Sequence, residues 1–213
     1  MLPQDIHYAI DQGLQIQSSF VYANYLPEEI DLRFNRCVDN YIDKYLQPRN
    51  DLKGVDGVQR GLDSLDNLKR NQVSISLTSN IGSLPTDYRN KEAVYAQITD
   101  SCGTKLTGCR TYEQEEFAFV RKSPFAKSLN TSPIVILYQD KIELVTGNFT
   151  CNTLLMDYIK IPLALDYNSI VDWIEFPNYV IKDIIDMTIQ KLLEISESQR
   201  LNTTIAVDTQ QKI

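Results

Sequence analysis

One histidine, His7, is all that 213 residues contain, and that scarcity severely limits catalysis. A Ser-His-Asp or Cys-His arrangement would have to be built on it, and no GxSxG sequence accompanies it. Basic residues are also few: 21 Lys and Arg stand against 28 Asp and Glu, a net charge of −7, and no basic run exceeds a pair. Gripping nucleic acid by its phosphates needs clustered cations, so that mode is excluded. An acidic wall past which duplex DNA slides is not. The phosphate cradles GxxxxGK[ST] and GxGxxG are missing. Cys37, Cys102, Cys109 and Cys151 have no CxxC spacing, which argues against structural zinc. No cofactor and no metal are expected. Long apolar runs are lacking too, so no membrane span is expected. The opening MLPQDIHYAIDQGL has neither a basic nor a continuous apolar leader region. Free thiols therefore fit better than disulfides, although three glycosylation triplets, at Asn130, Asn148 and Asn202, suit a secreted chain.

What is present is helical periodicity at the two ends. Pro3 and Asp5 open a first helix through Ile6, Ile10 and Leu14, with Gly13 as its weak point. Leu26-Pro27-Glu28-Glu29 is a second start, proline in the first turn and two acids facing the helix dipole. Ile30, Phe34, Cys37/Val38, Tyr41/Ile42 and Tyr45 then recur at three- and four-residue steps, ending at Gln47-Pro48. Val58, Leu62, Leu65 and Leu68 suggest a short third helix. Pro177 opens the last one, in which Ile181, Ile184, Ile185 and Leu192 belong to an apolar face wide enough for a bundle core or a subunit interface. Arg200 closes it. The tail beyond holds Thr203, Thr204, Ile205, Ala206 and Val207, strand-prone but isolated, and fits a segment that docks on another chain by adding a strand.

Between the ends the period falls to two. Gln72 to Leu77, Glu92 to Thr99, Lys105 to Arg110, Ile134 to Tyr138, Lys141 to Val145 and Leu154 to Ile161 are strand candidates. Tyr112 to Lys122 interrupts them as a short helix with acids first and bases last. The fold class is α+β: a helical bundle of N- and C-terminal helices with an inserted antiparallel β-rich segment. The parts are residues 1–70, a β-rich insertion over 71–165 with one short helix, a C-terminal helix over 170–200, and an extended tail over 201–213. The paired acids Glu28/Glu29 and Glu115/Glu116 are read as helix-dipole partners, ahead of acid–base or calcium roles. Tyr22, Tyr25, Tyr41 and Tyr45 are read as core or interface, ahead of base stacking.

The order of segments resembles the head–tail connector proteins of tailed bacteriophages, the ring proteins of crAss-like phages, and more distantly the tail tubular A adaptors. The residues carrying the resemblance are Tyr158, Ile159 and Pro162 of DYIKIP, the Phe176-Pro177 helix start and the ESQRL ending. The resemblance implies a non-enzymatic virion protein of the neck region, assembled in the host cytoplasm. Its copies would form a homo-oligomeric ring, dodecameric in such families, stacked on the portal protein and on neighbouring ring or tail proteins. Double-stranded DNA would pass through as cargo without specific binding. The alternatives are another virion module, a collar or fibre-attachment protein, or a secreted or periplasmic binding protein.

Overall fold

The computed structural model describes residues 1–17, 25–46, 63–100, 103–120, 127–145, 147 and 149–210. In chain order the elements are α1 (Pro3–Gln17), α2 (Pro27–Leu46), a 3-10 turn (Asp66–Leu68), β1 (Lys69–Ser76), β2 (Ile81–Ser83), β3 (Tyr88–Asp100), β4 (Gly103–Gly108), β5 (Arg110–Glu113), α3 (Gln114–Val120), β6 (Ile134–Leu137), β7 (Lys141–Val145), β8 (Thr150–Lys160) and α4 (Asn178–Gln210). The protein is α+β. It divides into two compact units, Met1–Asn67 with Leu163–Ile213, and Leu68–Pro162.

The first unit is built on α1, α2 and α4, with α4 packed against each of the other two. The starts of α1 and α2 share one device. Leu2 N–H donates to Asp5 Oδ2 at 3.3 Å and Leu26 N–H to Glu29 Oε2 at 3.0 Å, so the acid three residues on caps the entering backbone while proline needs no partner. Ile6, Ile10 and Leu14 of α1, Ile30, Phe34 and Val38 of α2, and Val180, Ile184 and Leu192 of α4 are buried. At Gly13 α1 closely approaches α4: an added Cβ would run into the Ile189 side chain. The expected weak point is thus a close packing contact. Trp173 completes this core, edge-on to Phe34 at 5.3 Å and beside Phe176 at 5.7 Å.

The second unit holds two four-stranded sheets, ordered β1-β8-β3-β4 and β2-β7-β6-β5. Their inward residues share one apolar cluster, with Ile75, Val94, Ile98, Leu154 and Met156 from the first sheet and Val135, Ile142 and Leu144 from the second. Such pooling follows from two-residue periodicity, which gives each sheet one apolar face to cover. The chain passes between sheets at Ser79 and Asn80, whose φ of 52° and 68° make a tight reversal bridged by Thr78 and Ile81. A second irregularity is the bulge between Arg70 and Val73, where Gln72 takes φ 52° and gives its N–H to Asp157 Oδ1 at 2.6 Å.

Several expectations need correction. The sheets are not wholly antiparallel: β5 and β6 run parallel, because the chain between them passes through α3 and returns to the same end. Tyr112 lies in β5, not in the short helix, since its backbone pairs with Ile136. Short β2 went unread because three residues show too little periodicity. Finally, residues 201–210 are not extended. Thr203, Thr204, Ile205, Ala206 and Val207 continue α4, which runs on past Arg200 to Gln210. Adding a turn to an existing helix gains a hydrogen bond per residue with no new nucleus, which outweighs the modest helix penalty of Thr and Val. Most of the expected third helix, with Val58 and Leu62, lies outside the described residues.

Candidate interaction surface

The residues singled out on α4 are core residues of their own unit. Ile181, Ile184, Ile185 and Leu192 are all buried. His7 is likewise engaged: it is 4% exposed, its Nε2 lies 2.7 Å from Asp31 Oδ1, and its ring tilts against Tyr167 at 4.9 Å. A carboxylate only accepts, so Nε2 carries the proton in that bond. Of the tyrosines near α2, Tyr25, Tyr41 and Tyr45 serve packing, and Tyr22 lies outside the described residues. Tyr41 is buried against Tyr45, and Tyr25 donates its hydroxyl to the Leu192 carbonyl at 2.8 Å. The early acids are spent on capping, Glu29 at α2 and Glu116 at α3, where its Oε2 accepts Glu113 N–H at 3.3 Å.

Outward-facing apolar groups concentrate elsewhere, on the strap of residues 163–177 that leads into α4. It has neither helix nor strand, yet it is fastened at many points. Asn35 of α2 reads the Leu165 backbone on both sides, its Nδ2 donating to the carbonyl at 3.1 Å and its Oδ1 accepting the N–H at 2.7 Å. Asp31 Oδ2 accepts the Tyr167 N–H at 3.0 Å. Gln4 Nε2 of α1 reaches the Tyr167 and Ser169 carbonyls at 2.8 and 3.1 Å. The Trp173 indole donates to the Leu163 carbonyl at 2.8 Å, and Asn67 Nδ2 to the Ile174 carbonyl at 3.3 Å. Backbone without a ladder needs side-chain partners of this kind, and a connection this long without secondary structure is uncommon unless it has a task.

While Leu165, Trp173 and Phe176 turn inward, Leu163 is 68% exposed, Ile170 87%, Val171 70% and Ile174 70%. The bond from the Trp173 indole ties the backbone at Leu163 to the segment that carries Ile170, Val171 and Ile174. A lone exposed leucine is ordinary; four large aliphatic groups held outward on fixed backbone are not. Covering each would contribute roughly 1.5–3 kcal/mol before ordering costs. Residues 170–177, expected as the start of a C-terminal helix over 170–200, belong to this strap, and α4 begins only at Asn178 after Pro177. The strap's only signal is the run Ile170-Val-Asp-Trp-Ile174, whose spacing resembles a helix face and does not tell inside from outside.

The second unit contains an open, polar cavity of about 350 Å³ lined by Tyr88, Lys91, Glu113, Glu115, Tyr138 and Gln139 among others. Lys91 donates to Thr111 Oγ1, and the Tyr138 hydroxyl to Glu143 Oε2 at 2.7 Å. That bond to a carboxylate raises the Tyr138 pKa. Close by in the sequence, burial and the neighbouring Cys151 push the Cys109 thiol up to about 12, away from nucleophilic reactivity. Cys37, Cys109 and Cys151 are free thiols. Among the described residues no group of three or more His, Cys, Asp or Glu could hold a metal, and no helix is long and apolar enough to cross a membrane.

No protein-family model matches the chain, and no curated protein is significantly similar to it.

Proposed function

We propose that this chain is a non-enzymatic structural protein of a tailed-phage virion, a ring-forming connector that stacks between portal and tail and lengthens the DNA channel. The observation that carries the reading is the strap: four aliphatic side chains held out to water on a backbone fastened by α1 and α2. Surface of that kind supports partner binding and does little for a solitary monomer. In this reading α1, α2 and α4 are the helical bundle of the protomer, and Leu68–Pro162 is its β-rich insertion. The last turns of α4, with Thr203 to Val207, are a second docking element. The net charge of −7 suits a wall past which DNA moves without sticking.

The test is co-assembly. The chain is co-expressed with portal and tail proteins of the same virion, and the product is imaged by electron microscopy. A ring of this chain stacked on the portal is expected. A chain that stays monomeric in the presence of portal and tail proteins would count against the connector, and cross-links confined to collar or fibre proteins would move it to those structures.

A further inference from the structure

The strap can be asked what kind of surface covers it, a question that rests on the reading of the chain as an assembly protein. Within the strap and α1 themselves the charges are one-sided, while the exposed cations Arg36 and Lys182 stand on α2 and α4 beside them. Residues 161–181 contain no Lys or Arg, and neither do residues 1–17, which include α1. Gln4 joins these two segments directly. Asp5, Asp166 and Asp172 are exposed on them, and the cation facing them in these segments is the Met1 amine, 3.1 Å from Asp172 Oδ1.

We infer that the strap and α1 form a preorganised docking ledge for a different protein, one that presents an apolar surface rimmed by Lys or Arg. Three considerations favour that occupant. An acidic rim repels phosphates, so nucleic acid and anionic lipid are poor partners. Two straps meeting face to face would bring Asp166 and Asp172 of both copies together around the apolar centre, and like charges at a contact select against that pairing. A basic rim on the partner is attracted at a distance, and the fixed backbone then presents Ile170, Val171 and Ile174 with little further ordering to lose. The partner surface thus carries charge opposite to that of Asp166 and Asp172 on the strap.

The experiment uses the full-length chain and, as probes, the purified portal and adjacent tail-ring proteins of the same virion. Binding and solution mass are measured for wild type, for Ile170→Ser/Val171→Ser/Ile174→Ser, and for Asp166→Asn/Asp172→Asn, each verified as folded by its unfolding midpoint. Wild type is expected to bind one of the probes. The serine variant should lose at least tenfold in affinity, and the asparagine variant should bind more weakly with a shallower salt dependence. If wild type binds and the serine variant binds equally well, the ledge is wrong while the connector stands. If wild type binds neither probe, the connector reading itself fails and the ledge with it. Wild-type chains that self-associate, or bind phosphatidylcholine vesicles, with either behaviour removed by the serine changes, would overturn the choice of occupant.

Discussion

His7 Nε2 stands 2.7 Å from one oxygen of Asp31, and the other oxygen of the same carboxylate accepts the Tyr167 N–H at 3.0 Å. A single side chain of α2 thereby fastens both α1 and the strap, and the one histidine is spent on architecture. Replacing Asp31 by Ala leaves a buried imidazole N–H and a backbone N–H without their acceptor. The expected cost is about 2–4 kcal/mol, with Asp31→Asn in between because its one oxygen serves only one donor. Denaturant titration measures the loss, and hydrogen exchange at the Tyr167 amide should accelerate. Unchanged exchange there would show that Asp31 does not fasten the strap.

Gly13 and Ile189 offer a test in which two rules oppose each other. Helix propensity favours Gly13→Ala by roughly 1 kcal/mol, whereas the added methyl collides with the buried Ile189 side chain, an overpacking cost of about 1–3 kcal/mol. The substitution should therefore destabilise the protein. In an Ile189→Val background, which lacks Cδ1, it should turn neutral or stabilising. A double-mutant cycle of unfolding free energies showing no coupling would contradict the close approach.

Ile184 is fully buried on α4, so Ile184→Ala should cost about 2–5 kcal/mol through lost burial and the cavity left behind. The denaturation midpoint should fall at constant slope. An unaffected midpoint would place this face outside the core.

Stability should decline at alkaline pH through Tyr158. Its burial and its hydrogen bond to Asp87 Oδ1 at 2.7 Å push the phenol from 10.0 to about 12. The folded state thus favours the neutral form, and that stabilisation is complete below the unfolded value of 10.0. It is lost as pH rises from there through about 12. Tyr158→Phe should be less stable at neutral pH and lose less over this alkaline range. Tyrosinate absorbance during a pH titration should show one fewer late-ionising group.

Deleting residues 202–213 removes the end of α4, well beyond Leu192, the last buried residue among the described side chains of that helix. Thermal stability should stay close to wild type, while co-assembly with the portal partner should fall sharply. Normal assembly by the truncated chain would remove the tail from the docking surface.

Much of the helical framework was legible because it follows from local rules. Leu-Pro followed by an acid marks two helix starts, and Ile30, Phe34, Val38 and Ile42 repeat at the spacing of one helix face. The long strands were readable for the same reason, through alternation. Short β2, the parallel pairing of β5 with β6 and the helical course of residues 201–210 were not. Three residues carry no period, strand direction depends on the path of the connection, and Thr-Thr-Ile-Ala-Val extends a helix at its end although its propensities favour a strand.

Composition and local periodicity by themselves determined this chain's net charge of −7 and its amphipathic end helices. Where its exposed apolar surface would lie was decided by tertiary structure alone. Ile170 and Ile174 face water while Leu165 and Trp173 face the core because Asn35, Asp31 and Gln4, remote in sequence, hold the strap's backbone in one course. An irregular segment has no period of its own to assign its faces, so long-range hydrogen bonds assign them.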